Sequence, residues 1–187
     1  MFNSKKYGPD IELDQAFENL KKGSAEAFQI LYHKYHNRVY RFCLRMLGSE
    51  PMAKDAFQET FVKVYEKRET FHGDNFSAWL FTIARHICYN MLRANKSHSS
   101  FDESFHEGRT QKNTDFGLKK ALEDAIASLP TSLREAFILR EYEDLSYSEI
   151  ANVLEVDLSL AKIRVFRARK QLRQILKPII KELDEYR

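Results

Sequence analysis

The sequence predicts an all-α protein of two small helical domains joined by a flexible linker, the C-terminal one containing a helix-turn-helix. Three observations lead to this fold class. Apolar residues recur at helical spacing through most of the 187 residues, and no segment alternates as a strand does. Glycine (6) and proline (4) are scarce and stand near the ends of the helical patterns. A polar stretch at 97–115 interrupts the pattern and separates the two domains.

Four helices are predicted in the first domain, residues 1–96. They cover residues 11–22, 25–47, 50–68 and 76–94. Gly23 and Gly48 end the first two helices, and Ser24 has the side chain to cap the second. Pro51 is tolerated because it falls in the first turn of the third helix.

The linker and the second domain follow from a change in composition. Residues 97–115 hold four acidic and two basic residues with few large apolar ones, which predicts a flexible tether. Helical spacing returns in the second domain, residues 116–187. Ser132-x-x-Glu135 and Ser146-x-x-Glu149 have the spacing of capping boxes, so each is predicted to open a helix.

The end of the second domain predicts a helix-turn-helix. A helix at 146–154 and a last helix at about 159–176 are separated by a four-residue turn. Ala151 is small enough for two helices to cross closely. The last helix presents basic residues outward, which suits a DNA major groove, and Ser159 at its start is placed to donate to a phosphate. A three-helix bundle with a solvated basic face is the alternative.

The net charge of +3 hides strong segregation along the chain. Three stretches, 27–49, 75–101 and 158–181, together carry 15 basic residues and no acidic one. The rest of the chain carries 15 basic and 27 acidic residues. Separate basic and acidic surfaces are typical of a protein that binds a polyanion and a second partner. The first of these stretches has no role assigned by the sequence.

One face of the third helix is largely acidic. It is formed by residues at helical spacing, namely Asp55, Gln58, Glu59, Val62 and Glu66. This face lies opposite the aromatic face of the same helix, so it is available to a partner. A solvated face would show the same pattern.

The fourth helix and the loop before it combine rings, amides and guanidinium groups. Arg85, Asn90 and Arg93 project from the helix, and the loop 70–76 contains Phe71 and Phe76. Rings stack on unpaired bases, and Arg and Asn bind base edges, so this region suits single-stranded DNA. The alternative is a helix-capping loop with Phe76 in the core, and the residues alone leave both readings open.

Several function classes are not supported by the sequence. Cys43 and Cys88 are too far apart for a C-x-x-C motif, so neither a zinc finger nor a disulfide framework is supported, and two reduced, buried thiols are predicted. His33 and His36 form the closest histidine pair, and no metal or cofactor is expected. No nucleophile, base and orienting group are grouped as in an enzyme. No apolar run reaches the roughly 18 residues of a membrane span, so a cytoplasmic protein is expected.

Two blocks of the chain resemble bacterial sigma factors. The first contains the D-x-x-Q-E-x-F pattern at 55–61 and the W-L-x-x-I-A-R pattern at 79–85. The second runs from Leu129-Pro130 through the segment 145–151 to the basic segment 162–169. The order and spacing of these blocks over residues 20–175 resemble the extracytoplasmic-function group, which has only these two modules.

The resemblance implies an alternative sigma factor that lends promoter specificity to core RNA polymerase and is not an enzyme. Residues implied to bind the polymerase are Asp55, Gln58, Glu59 and Val62. Residues implied to melt and hold the −10 element are Phe71, Asp74, Asn75, Phe76, Trp79, Arg85, His86, Asn90 and Arg93. Residues implied to read the −35 element are Ser159, Lys162, Ile163, Arg164, Phe166 and Arg167. The resemblance implies three partners: core RNA polymerase, promoter DNA and an anti-sigma protein.

The chain departs from the family pattern at four positions. His86, Asn90 and Ile163 replace residues that are usual in the two DNA-binding segments. Glu155 stands where the turn usually has glycine, and a left-handed conformation there would cost about 1 kcal/mol. A helix-turn-helix regulator that works without core polymerase is the alternative function, but it leaves the acidic face of the third helix without a role.

Overall fold

A computed structural model describes residues 9–72, 75–98 and 114–185 of the chain. Within these ranges it contains helices and turns and no strand, which confirms the predicted all-α class. The helices are α1 (Pro9–Lys21), α2 (Ala25–Leu47), α3 (Glu50–Glu66), α4 (Phe76–His98), α5 (Thr114–Ser128), α6 (Thr131–Glu141), α7 (Tyr147–Leu154) and α8 (Leu158–Glu185), with a short 3-10 helix at Arg68–Thr70. Most of the predicted linker 97–115 lies outside the described residues.

The helix ends in the N-terminal half follow the glycine and serine signals. The Ser24 hydroxyl accepts a hydrogen bond from the Ala27 amide at 3.2 Å and caps α2. Gly48 ends α2 in the left-handed region at φ 67°, and its amide donates to the carbonyl of Leu44. A residue with a side chain would be strained at that φ, so this glycine determines where α2 stops.

Of the two predicted capping boxes, one is confirmed and one is wrong. The Ser146 and Glu149 pair caps α7 reciprocally, the serine hydroxyl accepting from the Glu149 amide and the glutamate from the Ser146 amide. At the start of α6 the capping residue is Pro130, so Ser132 already lies inside the helix. Glu135 is buried instead, and its carboxylate accepts hydrogen bonds from Arg85 of α4 and Arg164 of α8.

Helices α1 to α4 form the N-terminal core around aromatic and aliphatic side chains. Phe42, Met46, Phe76, Leu80 and Phe81 are all essentially inaccessible to solvent. Cys43 and Cys88 are free, buried thiols, as predicted. A hydrogen bond to Cys43, together with burial, raises the pKa of Cys88. The Cys88 thiol therefore stays protonated, and both buried cysteines pack as small apolar groups.

Helices α7 and α8 form the predicted helix-turn-helix. Ile150, Ala151 and Leu154 of α7 face inward against a stripe of α8. That stripe consists of Ala161, Val165, Ala168 and Leu172. Glu155 closes the turn at φ 56° and ψ 44°, the left-handed conformation that the expected glycine would adopt without strain.

Helix α8 is longer than the sequence predicted, since it continues past Pro178 to Glu185. Pro178 is exposed, so water is able to hydrogen-bond the carbonyl that its ring leaves without an amide partner. The two halves of the chain also touch. Helices α2 and α4 pack against α5, α6 and α7, and one continuous set of buried apolar residues runs through both halves.

Candidate functional site

The acidic face of α3 is exposed along its whole length. Asp55, Gln58, Glu59 and Glu66 are all solvent-accessible, and the apolar Val62 among them is 53% exposed. The opposite face of α3 is anchored in the core by small and aromatic residues, including Ala53, Ala56, Thr60, Phe61 and Val64. The structure therefore brings together all four residues that the sequence assigned to the polymerase-binding face.

An open groove of about 670 Å³ runs beside this face, between α2 and α3. Its walls are aromatic and apolar, and its rim carries Gln58 and Glu66; the lining residues are Phe28, Tyr32, Phe57, Gln58, Phe61, Val62, Tyr65 and Glu66. Tyr65 is 40% exposed there. A groove of this kind accommodates an apolar side chain or helix face of a partner, with the acidic residues beside it to pair with basic groups. Sequence periodicity placed these rings in the core and did not reveal the groove.

At the start of α4, the side chains of the predicted −10 site pack inward. Phe71 and Phe76 are buried, and the ring of Phe76 stacks on Phe17 with centroids 4.7 Å apart. Trp79 is half-buried against both, at 5.4 and 5.5 Å between centroids. In this arrangement the rings contact one another, so base stacking on Phe71 and Phe76 stays a prediction. Asp74 lies outside the described residues.

The side chain of Asn75 forms hydrogen bonds with both α4 and α7. Its side-chain oxygen accepts from the Ala78 amide at 2.9 Å and caps α4, while its Nδ2 donates to the Glu149 carboxylate of α7. Burial acts to raise the pKa of Glu149, but the hydrogen bonds from Ser146, together with the one from Asn75, lower it. Asn75 therefore already has partners in this structure.

The remaining −10 candidates occupy the outer surface of α4. His86, Asn90 and Arg93 are exposed. Arg85 is half-buried, and its guanidinium lies over the Tyr89 ring at 4.9 Å. A basic and amide-bearing surface of this kind suits the phosphates and base edges of a single strand.

The predicted −35 residues line one exposed side of α8. Ser159, Lys162, Ile163 and Arg167 are exposed. Phe166 is 66% exposed, more than any other large apolar side chain in the described part of the chain. Basic groups on both sides of exposed Ile163 and Phe166 provide phosphate contacts together with apolar contacts to thymine methyl groups. Arg164 differs, because it is half-buried and bonds to Glu135.

Sequence reasoning missed the two buried carboxylates that link the halves. Glu135 is 1% exposed and lies 2.7 Å from Arg85 Nε and 3.2 Å from Arg164 Nη1. Glu143 is 2% exposed and lies 2.8 Å from Arg38 Nε. Burial raises the pKa of both, to about 7 for Glu143, although the neighbouring arginines oppose that rise. No local spacing identifies such groups, since their partners come from distant segments.

Metal and membrane features are not found in the part of the chain that the structure describes. No group of three or more His, Cys, Asp or Glu side chains there is arranged to hold a metal ion. No described helix is long and apolar enough to cross a bilayer.

The chain is similar to known proteins over almost its whole length. Residues 31–98 match the family model Sigma-70 region 2, and residues 119–172 match Sigma-70, region 4. The RNA polymerase sigma-H factor of Pseudomonas aeruginosa is 32% identical over 184 residues, covering 90% of this chain and 95% of that protein. The ECF RNA polymerase sigma-E factor of Escherichia coli is 32% identical over 180 residues, covering 88% and 94%.

The fold is similar to that of two solved structures. The sigma factor RpoE of Bartonella quintana, in a co-crystal structure with the anti-sigma factor NepR, superposes with a TM-score of 0.68 at 28% identity and covers 82% of this chain and 98% of that one. CnrH, in complex with the cytosolic domain of CnrY, has a TM-score of 0.70 at 21% identity and shows the shared fold alone. The match of regions 2 and 4 to the two halves of the structure shows that this chain belongs to the ECF-type RNA polymerase sigma factors.

Proposed function

We propose that this sigma factor binds core RNA polymerase through the exposed face of α3 and reads promoter DNA through α4 and α8. The observation that carries this proposal is the presence, in one chain, of two exposed helix faces of opposite charge. The α3 face is acidic with Val62 at its centre, and the α8 face is basic with Phe166 at its centre. The acidic α3 face suits a basic protein surface, and the basic α8 face suits duplex DNA.

On α3, the residues proposed to contact the polymerase are Asp55, Gln58, Glu59 and Val62. The apolar groove beside Val62 provides the buried contact, and the carboxylates beside it steer and pair with basic groups of the partner. Because an anti-sigma factor accompanies one similar structure, we propose that such a protein also binds this chain and competes for the same surface.

On the DNA side, the exposed residues His86, Asn90 and Arg93 of α4 are proposed to hold the −10 strand. Lys162, Ile163, Phe166 and Arg167 of α8 are proposed to read the −35 duplex, with Ser159 binding a phosphate at the N-terminus of α8. The chain acts without catalysis of its own, inside the cell, and we propose the cytoplasm as its location.

Multi-round transcription with purified core polymerase and genomic promoter fragments tests the proposal. Specific initiation that depends on the added chain, together with co-purification of the chain with core polymerase, is the expected result. A chain that binds duplex DNA through α8 but neither co-purifies with core nor supports initiation would instead be a helix-turn-helix regulator that works alone.

A further inference from the structure

Helix α1 carries none of the residues proposed to bind polymerase or DNA, yet one of its side chains contacts the loop before α4. The ring of Phe17 stacks on Phe76, with the centroids 4.7 Å apart and the planes 22° from parallel. The same ring makes an edge contact with Phe71 at 6.0 Å between centroids. Phe71 and Phe76 stand at the two ends of the loop that is proposed to hold the −10 strand. A single residue of α1 therefore contacts both ends of this loop.

Rings from three helices and the loop surround Phe76, the first residue of α4. Besides Phe17 of α1, they are Tyr35 of α2 at 5.4 Å, Trp79 of α4 at 5.5 Å and Phe71 of the loop at 5.5 Å between centroids. Phe71 is 4% exposed and Phe76 is 2% exposed. Contacts between aromatic rings favour particular mutual orientations. This ring cluster therefore fixes how the chain enters and leaves the loop.

Helix α1 is itself firmly attached to α2. Ala16 and Leu20 of α1 are buried, at 3% and 1% exposed, and α1 packs along α2. At the end of α1, Gly23 adopts φ 82° and its amide donates to the Leu20 carbonyl at 2.8 Å, while the Ser24 amide donates to the Asn19 carbonyl at 3.0 Å. These two hydrogen bonds form a glycine-ended helix terminus that sets the direction of the chain from α1 into α2. The ring that contacts the loop is therefore carried by a fixed helix.

Phe17 differs from the residues of α1 that fill the core, because its side chain is half-exposed. It lies over the buried Phe76 and separates that ring from water. One turn further along α1, the Lys21 ammonium lies 5.5 Å from the centroid of the Phe71 ring. The solvent side of the loop rings is thus covered by two side chains of α1.

Loss of the Phe17 ring should leave the loop ends with more than one orientation. Phe71 and Phe76 would then have to be ordered when a DNA strand binds. Ordering side chains on binding costs free energy that would otherwise appear as affinity. A loop whose ends are held in place before binding avoids this cost.

We propose that Phe17 is a positioning residue for −10 recognition, which holds Phe71 and Phe76 in place and acts on the DNA strand only through the loop. The proposal rests on the proposed function of the loop. It gives α1 a part in promoter recognition that its own surface residues do not have. The ring cluster, however, is a property of the free chain and can be measured without DNA.

The emission of Trp79 measures the state of the ring cluster, because Trp79 is the one tryptophan of the chain and contacts both loop rings. Phe17→Leu keeps an apolar side chain but removes the ring. We expect its Trp79 emission to shift to longer wavelength and acrylamide quenching to increase, since water gains access to the loosened cluster. Phe17→Tyr retains the ring at a half-exposed position and should behave as the unchanged chain. Phe137→Leu, which removes a half-buried ring from α6, is the matched control.

Binding of single-stranded DNA by core polymerase carrying the chain gives the second measurement. The probe is the nontemplate strand of the −10 region from a promoter fragment that the unchanged chain transcribes. We expect Phe17→Leu to raise the Kd by about fivefold or more, because two loop rings must then be ordered on binding. Phe17→Tyr should restore the affinity, and Phe137→Leu should not weaken it. Binding to core polymerase and to −35 duplex should be unchanged in Phe17→Leu.

Four outcomes would overturn the positioning role. They are an unchanged Trp79 emission in Phe17→Leu, an unchanged Kd for the single strand in Phe17→Leu, a Phe17→Tyr variant as weak as Phe17→Leu, and an equal loss in Phe137→Leu. If Phe17→Leu does not fold, as judged by circular dichroism, Phe17→Met replaces it and is judged by the same results. Failure of the proposed function would appear differently, as an unchanged chain that supports no initiation while its Trp79 emission still responds to Phe17→Leu.

Discussion

The carboxylate of Glu143 lies 2.8 Å from Nε of Arg38, although the two residues are 105 positions apart in the chain. Burial removes the carboxylate from water, and Arg38, Arg45 and Asp144 are the charged groups around it. The desolvation outweighs the attraction of the two arginines, so the pKa of Glu143 rises from 4.5 to about 7.

This raised pKa predicts a pH-dependent stability. The folded chain binds the proton of Glu143 more tightly than the unfolded chain, so the resulting stabilisation is complete below about pH 4.5 and is lost as the pH rises through about 7. Glu135 adds in the same direction. We expect the Tm of the unchanged chain to fall, relative to that of Glu143→Gln, as the pH rises from 5 to 8.

Thermal unfolding followed by circular dichroism at each pH provides the measurement. Glu69→Gln, a neutralised carboxylate on the exposed surface, is the matched control and should leave the pH profile unchanged. Parallel profiles for Glu143→Gln and the unchanged chain would contradict the prediction.

Reversal of one charge on α3 should separate polymerase binding from DNA binding. Glu59 is exposed beside Val62, so Glu59→Lys removes a steering charge and places a repelling one in the proposed interface without disturbing the core. We expect weaker binding to core polymerase in a pull-down titration and unchanged binding to duplex −35 DNA. Glu26→Lys, an exposed position on α2, serves as the control; equal loss of both activities in Glu59→Lys would argue against the α3 face.

Loss of one exposed arginine on α8 should relax −35 specificity. If Arg167 forms two hydrogen bonds with a guanine, Arg167→Ala should weaken the free energy of binding to the cognate duplex by about 1–3 kcal/mol and change binding to other duplexes little. Fluorescence anisotropy with matched and mismatched duplexes measures the difference. Arg173→Ala, further along the same helix, removes the same charge as a control. Uniform weakening on every sequence would show that Arg167 contacts a phosphate instead.

The left-handed residue at the helix-turn-helix turn should respond to glycine. Glu155 adopts φ 56° with a side chain, which costs about 1 kcal/mol over glycine in that region. We expect Glu155→Gly to raise the free energy of unfolding by up to about 1 kcal/mol in urea, reduced by the loss of the exposed contact with His86. Asn152→Gly, inside α7, should lower it by about 0.3 kcal/mol, the difference in helix propensity between the two residues. A decrease in both variants would show that the left-handed residue carries no strain.

Cleavage of the linker should test the domain boundaries. We propose domains at 1–96 and 116–187, so a protease site inserted between residues 97 and 115 should yield two fragments that each keep their helical circular dichroism. A single cooperative loss of helix in both fragments would mean that the shared apolar core is required for folding, and would contradict the two-domain prediction.

The sequence by itself determined most of the local structure. Ser24, Gly48 and the Ser146–Glu149 pair specify helix ends through their own backbone and neighbouring atoms. The exposed face of α3 and the buried stripe of α8 follow from the 3.6-residue period of the helix. These features depend on residues a few positions apart, so a single sequence contains the information that determines them.

Only the tertiary structure decided where the halves meet. Glu135 has the spacing of a capping box, yet its carboxylate pairs with Arg85 and Arg164. A carboxylate buried between helices has lost its contact with water, so it needs partners of opposite charge. Arg38 and Glu143 are likewise joined across the fold. Pairing of this kind depends on which surfaces come together in space, and no local periodicity records it.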